Sequence, residues 1–581
     1  MTVKKNKKFY AVVFLIVMSC ALVGKYVLAS NENFSYEDII RLEKVVNKIS
    51  EFYVEEISSK DLVRAAIEGL RDILDPHTAY FTEKDYNNLK VSTEGAFGGL
   101  GITIAIRENI LTIISPLQGT PAYRMGLQAG DKIMEIDGGS TKGITVDKAV
   151  EKLRGKPGTS VTIQVFREGT VEPLEFTIVR DIIRIESVPF AGMLNDTIGY
   201  IKITQFSKRT SKDLEEKIKS LKNQGLNSLI LDLRNNPGGL LNQAISVSDF
   251  FLDKKQMVVY TKGRTRSQNK EYFSEHKPMW NKDHRLIILV NAGSASASEI
   301  VAGAVQDHDR GLIMGKPTFG KGSVQTILPL DAQKYALKLT TAYYFTPSGR
   351  CINKAHKPDS PYNDEEEETG PDTSKKADSA KSFYTDSGRK VYAAGGIDPD
   401  VNIEGNLYNR YVRELERKTM FFKFIIKNRK AIEKKNKVTL DFKIDEKIRN
   451  KFKEYIYSDT SFVKFKSASH IMLDEFSKTL EKERKALGDT LDTEINKEVE
   501  ILKTKLEGNL AKKTKMQFEQ NHEYIDFALK RELLQAVRGD SVTSLHEISI
   551  DLQIKEALKY LEKTNLYAQA LSKKGVTAKK E

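Results

Sequence analysis

The chain has 581 residues, 40% hydrophobic and 29% charged, enough for several packed domains with an ordinary globular balance. Its net charge of +13 suits anionic surfaces, but no zinc-finger, RNA-recognition or phosphate-cradling motif accompanies it, so nucleic acid is not an expected partner and the lysines read as a solvated surface. The two cysteines, Cys20 and Cys351, come with no CxxC and no HExxH, which argues against a disulfide framework, a metal site and a cofactor.

Residues 1–29 read as an export signal. A basic start, MTVKKNKK, precedes the uncharged apolar run Phe9–Gly24 of 16 residues, short for a span and close to a signal-peptide core. Val27-Leu28-Ala29 is the expected cleavage site. An uncleaved anchor with Lys25 snorkelling, or a lipoprotein through Cys20, are the rival readings, and each exports the protein to a bacterial envelope or periplasm.

Residues 36–90 are expected to be helical. Ile39, Leu42, Val45, Val46 and Ile49 follow three-four spacing, Leu62, Ala65, Ala66, Ile67 and Leu70 form a second stripe, and Asp75-Pro76-His77 ends it. His77 reads as structural. From 95 to 184 the pattern changes to short strands and turns. Gly98-Gly99-Leu100-Gly101 precedes the alternating Ile102, Ile104 and Ile106, and LQAGDKIMEIDG is followed by a helix striped by Val146, Ala149, Val150 and Leu153. This order resembles a PDZ domain. The resemblance implies that the backbone N–H groups of Gly99, Leu100, Gly101 and Ile102 hold a peptide's terminal carboxylate while the peptide adds as a strand.

Beyond Gly199 the chain alternates strand and helix. The apolar strand Leu229–Leu233 runs into Arg234-Asn235-Asn236-Pro237-Gly238-Gly239, where paired glycines let backbone N–H groups approach a ligand. A second apolar strand, Leu286–Val290, runs into Ser294, Ser296 and Ser298, with a helix expected from about Ser296. A hydroxyl there sits beside free N–H groups at a positive helix end. Further on, Lys321, Ser323 and Gln325 are expected on one face of a strand. His308 lies twelve residues down the helix from Ser296, roughly 18 Å away, too far for direct proton transfer. His276 and His284 read as surface groups. That leaves Lys321, which serves as a base only as the neutral amine, in a setting that lowers its pKa by burial. Gln325 can orient that amine without adding charge. Oxyanion donors are expected from Ala297 and from Gly238 or Gly239.

VNAGSASASEIVAGAVQDHDRG, GKPTFGKGSVQ and LDLRNNPGG, behind a PDZ-like module, together resemble the C-terminal processing peptidases, or tail-specific proteases, across about residues 36–405. The resemblance implies a multidomain α/β protein whose ClpP/crotonase-like peptidase core (185–353 and 391–405) carries an inserted β-rich PDZ domain. It also implies a Ser-Lys endopeptidase with Ser296 as nucleophile, Lys321 as base and Gln325 as orienting partner, and an acyl-enzyme intermediate. Arg154, in LRGKPGT, resembles an arginine that couples the PDZ domain to the active site. The expected partners are unfolded or tagged proteins held by their C-termini. The rival reading is a non-catalytic envelope scaffold with the same PDZ module.

Two stretches depart from the compact family pattern. Residues 354–390, rich in charge, Ser and Pro, read as a disordered insertion. Residues 406–581 read as a lysine-rich helical domain with apolar patches at Leu415, Phe421, Phe422, Phe424 and Ile425 and at Leu529, Leu533, Leu534 and Val537. An oligomer or adaptor contact is expected there, and membrane association at the N-terminal segment.

Overall fold

The computed structural model describes residues 36–331, 334–354, 382–392, 395–406, 408–459, 468–487 and 493–572, in two compact units. The expected export segment, 1–29, lies outside the described residues. No helix among the described residues is long and apolar enough to cross a membrane.

The first unit takes the chain up to Lys84 together with 325–340. It holds helices α1 (Tyr36–Phe52) and α2 (Ser59–Gly69) and a strand, β1 (Ala79–Phe81), inside the stretch expected to be wholly helical. β1 exists because residues 336–338 offer it an antiparallel partner, pairing Ala79 with Lys338 and Phe81 with Ala336. Asp75 builds the turn before it, accepting the N–H groups of His77 and Thr78 and the hydroxyls of Thr78 and Thr340. Burial raises the Asp75 pKa, but these hydrogen bonds outweigh it and leave the carboxyl below its ordinary range.

The second unit begins at Asp85, within α3 (Glu83–Glu94), and continues with the PDZ-like module. In order come β2 (Ala96–Gly99), β3 (Ile102–Arg107), β4 (Ile110–Pro116), α4 (Pro121–Arg124), β5 (Lys132–Ile136), β6 (Gly139–Ser140), α5 (Val146–Leu153), β7 (Ser160–Phe166), β8 (Leu174–Val179) and β9 (Asp181–Arg184). The sheet runs β3-β4-β5-β7-β8 with β6 paired to β5, while β2 and β9 form a separate ribbon. Leu111, Ile113, Ile133, Ile163 and Val165 alternate inward and bury Ala149 and Leu153 of α5.

The core follows as β10 (Phe190–Met193), β11 (Ile198–Lys202), α6 (Thr210–Lys222), β12 (Ser228–Asp232), α7 (Leu241–Asp249), β13 (Met257–Gly263), β14 (Lys270–Phe273), β15 (Arg285–Val290), α8 (Ala297–Asp307), β16 (Leu312–Gly315), β17 (Ser323–Leu330), β18 (Tyr335–Phe345), β19 (Ser382–Tyr384), β20 (Lys390–Tyr392) and β21 (Val401–Asn402). Its central sheet has the order β10-β11-β12-β15-β16-β21, parallel except for β10. Parallel strands need both faces covered, hence the near-continuous apolar runs in β12 and β15. Leu229, Leu231, Leu286, Ile288 and Val290 face α6, α7 and α8.

The C-terminal helices are α9 (Arg410–Arg417), α10 (Met420–Glu433), α11 (Glu446–Ser458), α12 (Ala468–Leu487), α13 (Thr493–Gln520), α14 (His522–Arg538), α15 (Asp540–Ile548), α16 (Leu552–Glu562) and α17 (Thr564–Ala570). The two apolar patches read from sequence join one core, where Leu415, Phe421, Phe424 and Ile425 meet Phe452, Phe518, Leu529, Leu533 and Leu534. Helix α10 reaches the PDZ module through Arg429 to Gln128 (3.1 Å) and Lys423 to Glu108 (2.9 Å).

The described residues of 406–581 form the expected helices, and the last two of these also pack on the central sheet. Ile554, Ala557 and Leu561 of α16 and Tyr567 and Ala570 of α17 bury against Ile230, Ile287, Leu289, Leu312 and Met314, the second face of the central sheet. The expectation of a disordered insertion over 354–390 is corrected at its C-terminal end. Residues 355–381 lie outside the described residues, but 382–392 form the β19–β20 hairpin. Arg389 anchors it, 2.6 Å from both Asp309 and Asp400.

Candidate active site

Strand β15 ends at Val290 and helix α8 begins at Ala297, so residues 291–296 make a strand-to-helix turn at the carboxyl edge of a parallel sheet. Hydroxyls on either side of Ser296 fasten this turn. Ser294 Oγ donates to Leu233 O (2.8 Å) and accepts the N–H of Asn291 (3.0 Å), while Ser298 Oγ donates to Asn236 O (2.9 Å). Ser294 and Ser298 are fully buried, and Ser296 is half-buried. Ser296 also stands at φ 55° and ψ −112°, a conformation that an L-residue holds only when its surroundings impose it. A strained strand-to-helix turn of this kind presents a nucleophilic hydroxyl above the sheet.

What imposes it is Glu299, which sequence reading missed. Its fully buried carboxylate accepts four hydrogen bonds. Oε2 takes the N–H groups of Ser296 (2.7 Å) and Lys321 (2.9 Å), and Oε1 takes the N–H of Gly320 (2.7 Å) and the hydroxyl of Thr318 (2.6 Å). Burial pushes the Glu299 pKa up against the opposing pull of these donors, and the net result is upward. The signal was present in Ser296-x-x-Glu299, which is capping-box spacing.

The same carboxylate corrects the expectation for Lys321. The lysine does not share a strand face with Ser323 and Gln325, because β17 starts only at Ser323. Lys321 sits in the irregular stretch before it. Gly320 (φ 89°) has room for no side chain, since an added Cβ would lie 2.2 Å from Gly395 O. The buried Tyr344 hydroxyl donates to Lys321 O, so both backbone groups of the lysine are fixed. Burial, and then the charge of Glu299, hold the Tyr344 phenol well above its ordinary range. Gln325 belongs to the first unit, where Nε2 donates to Thr340 Oγ1 at 3.3 Å.

The glycine turn lies directly against the serine turn. Asn236 Oδ1 accepts the N–H of Gly238 (2.9 Å), and Asn236 O accepts the N–H of Ala295 (3.0 Å). A Cβ on Gly238 would meet Ala295 O at 2.7 Å, Ser296 Cβ at 2.8 Å and Ala297 N at 2.9 Å. This removes Gly238 from the expected oxyanion donors, because its N–H is committed to Asn236. Gly239 is exposed and Ala297 opens the helix. Among the described residues neither of their N–H groups has a backbone partner.

The histidines are accounted for elsewhere. His308 closes α8 with Nε2 at 2.7 Å from Met257 O and Nδ1 at 2.7 Å from Asp386. His276 is exposed beside Asp249 (2.6 Å). His284 is not the surface group expected, as its ring packs edge-on against Trp280 at 4.7 Å and burial lowers its pKa. No cluster of His, Cys, Asp and Glu among the described residues is arranged to hold a metal ion.

In the PDZ module, β3 ends the sheet, with α5 alongside. The loop before it carries Gly99, Leu100, Gly101 and Ile102. Leu100 is buried, and Gly101 (φ 78°) packs so tightly that a Cβ would come within 2.3 Å of Thr120. The N–H groups of Leu100 and Gly101 have no backbone partner among the described residues. Arg154 follows α5 and stacks on Phe97 (4.2 Å), just before this loop. Its observed contact thus lies inside the PDZ module.

This fold and site define a serine peptidase that carries a PDZ domain. Residues 197–362 match the peptidase family S41, residues 89–166 the PDZ domain, and residues 411–561 the helical domain described as "Probable PDZ-protease, C-terminal helical domain". The chain is 40% identical to a carboxy-terminal-processing protease of Bartonella bacilliformis, over 60% of this chain and 80% of that one. It is 35% identical to a carboxyl-terminal-processing protease of Synechocystis, over 60% and 86%, and 34% identical to CtpA of Bacillus subtilis, over 60% and 76%. A solved photosystem II D1 C-terminal processing protease aligns over 64% of this chain and 94% of that one at 23% identity, with a TM-score of 0.33. The chain belongs to the carboxy-terminal-processing protease family of serine peptidases. Membership in a peptidase family stands against the non-catalytic scaffold reading.

Proposed function

We propose that this peptidase is exported, captures unstructured protein C-termini through its PDZ domain and cleaves them by a Ser-Lys mechanism. Ser296 Oγ attacks the scissile carbonyl carbon as Lys321 Nζ, entering as the neutral amine, takes its proton. The N–H groups of Ala297 and Gly239 receive the oxyanion. The tetrahedral intermediate collapses to an acyl-enzyme, and the leaving amine takes the proton back from Lys321. Water, deprotonated by Lys321, then releases the acyl group. Arg154 relays PDZ occupancy. The substrate tail adds to the β3 edge with its carboxylate on the Gly99–Ile102 N–H groups, in keeping with the relatives' names. Export rests on the basic start and apolar run of residues 1–29.

The observation that carries this reading is the common clamp on Ser296 and Lys321, whose amides share one buried carboxylate oxygen. The test is cleavage of an unfolded protein with a free apolar C-terminus, by wild type, Ser296→Ala and Lys321→Ala. Loss of activity in both folded variants is expected. Activity surviving Ser296→Ala would remove that residue as nucleophile.

A further inference from the structure

The turn that carries Gly239 is fastened from outside the core sheet as well as from within. Inward, Arg234 surrounds the fully buried Asp232. Its N–H and Nε lie 2.9 Å from Oδ1 and its Nη2 lies 2.6 Å from Oδ2, where the Tyr200 hydroxyl also donates at 2.6 Å. Outward, Arg234 Nη1 donates to Gln553 Oε1 (2.7 Å) and lies 2.8 Å from Asp551 Oδ2. The other Asp551 oxygen caps α16 by accepting the N–H groups of Gln553 and Ile554. Gln553 Nε2 donates to Ile403 O (2.8 Å), which fixes the amide's orientation. The Arg234 side chain is 13% exposed, so water replaces little of what these partners supply.

The consequences run along five residues. Asn235, next after Arg234, takes φ 57° and accepts a hydrogen bond from the Asn291 amide (2.9 Å), while its own N–H donates to Asn291 Oδ1 (2.9 Å). Asn236 then holds Gly238 and Ala295 as described. Arg234, Asn235 and Asn236 thus lie in one run that joins the glycine turn to the serine turn.

We propose that Arg234 is a positioning residue for the oxyanion turn and that helix α16 holds it there through Asp551 and Gln553. Residues up to 319 positions downstream are thereby part of the catalytic frame. This rests on Gly239 and Ala297 being the oxyanion donors.

The test uses the full chain. Asp551→Asn keeps a good helix cap but removes the charge facing Arg234. Asp551→Asn combined with Gln553→Glu returns a carboxylate to the same guanidinium. The readouts are kcat and KM on an unfolded protein substrate, the rate at which a fluorophosphonate labels the serine, the affinity for a tail peptide, and Tm. Asp551→Asn should lower kcat and labelling about tenfold, with KM and tail affinity little changed, and the double variant should recover most of the loss. A kcat unchanged in Asp551→Asn, or a loss that merely follows the unfolded fraction, would overturn the proposal. If Asp551→Asn does not fold, Gln553→Met, which leaves cap and charge in place, is read by the same criteria. An active Ser296→Ala control would instead overturn the site assignment itself, so the two failures are distinguishable.

Discussion

The backbone amides of Ser296 and Lys321, 25 positions apart in the chain, donate to the same carboxylate oxygen of Glu299, at 2.7 and 2.9 Å. A single buried group thus sets the strained Ser296 turn and the backbone position of Lys321 together, which no local sequence preference could do.

Replacing Glu299 by Gln tests that frame. A carboxylate offers acceptors on both oxygens, whereas an amide offers them on one and turns a donor toward the rest. At least one of the four donors loses its partner, at about 1–3 kcal/mol each. The variant is expected to fold, to bind a tail peptide as wild type does, and to lose about a hundredfold in kcat. Wild-type kcat in a folded Glu299→Gln would contradict the clamp.

The same pair gives a pH dependence of stability. Burial raises the folded pKa of Glu299 above its ordinary value of 4.5, so the native state binds this proton more readily than the unfolded state. Its contribution to stability therefore falls as pH rises from about 4.5 through the folded pKa, by about 1.4 kcal/mol per unit of separation. Glu299→Gln lacks this titration. Urea midpoints across pH 4–7 should show wild type losing ground to the variant as pH rises. A difference that stays flat would place the Glu299 pKa at its ordinary value.

Much of this was legible from residues alone because period and punctuation carry it. The apolar runs of β12 and β15 announce strands covered on both faces, and the small residues that follow announce turns. The expected order of glycine loop, strand and striped helix holds from Gly98 to Leu153, while β8 and β9 follow the strand at Val161–Val165 that was expected to be the last. Three things were not legible. Lys321 precedes the strand because Glu299 claims its N–H and Gly320 bends the chain, both of them tertiary effects. Gly238 is spent on Asn236 rather than on an oxyanion, a choice that two adjacent glycines do not reveal. Helices α16 and α17 read like the lysine-rich helices before them, and only the apolar second face of the central sheet, which they cover, explains where they pack.

Gly238→Ala should separate close packing from hydrogen bonding at the site. Gly238 stands at φ 99°, and an added methyl would press on Ser296 Cβ at 2.8 Å and Ala295 O at 2.7 Å. The left-handed backbone costs about 1–2 kcal/mol by itself, and the clash falls on the turn that carries Ser296. The expected result is a folded protein with lower Tm and serine labelling reduced about tenfold or more. Normal labelling would mean that the serine turn moves aside without losing its geometry.

Gly101→Ala addresses the other end of the reaction, the capture of the tail. Gly101 has φ 78°, and its Cβ would lie 2.3–2.5 Å from the side-chain atoms of Thr120, whose hydroxyl donates to Leu117 O (2.6 Å) and so is not free to swing away. The loop must shift, and with it the N–H groups proposed to receive the carboxylate, while the catalytic turn is built from other elements. The variant should therefore raise KM for a substrate with a free C-terminus about tenfold or more. On a substrate whose C-terminus is amidated, wild type and variant should converge, because neither can use the carboxylate. If Gly101→Ala instead lowers kcat on both substrates equally, the PDZ loop governs the competence of the active site rather than the binding of the tail.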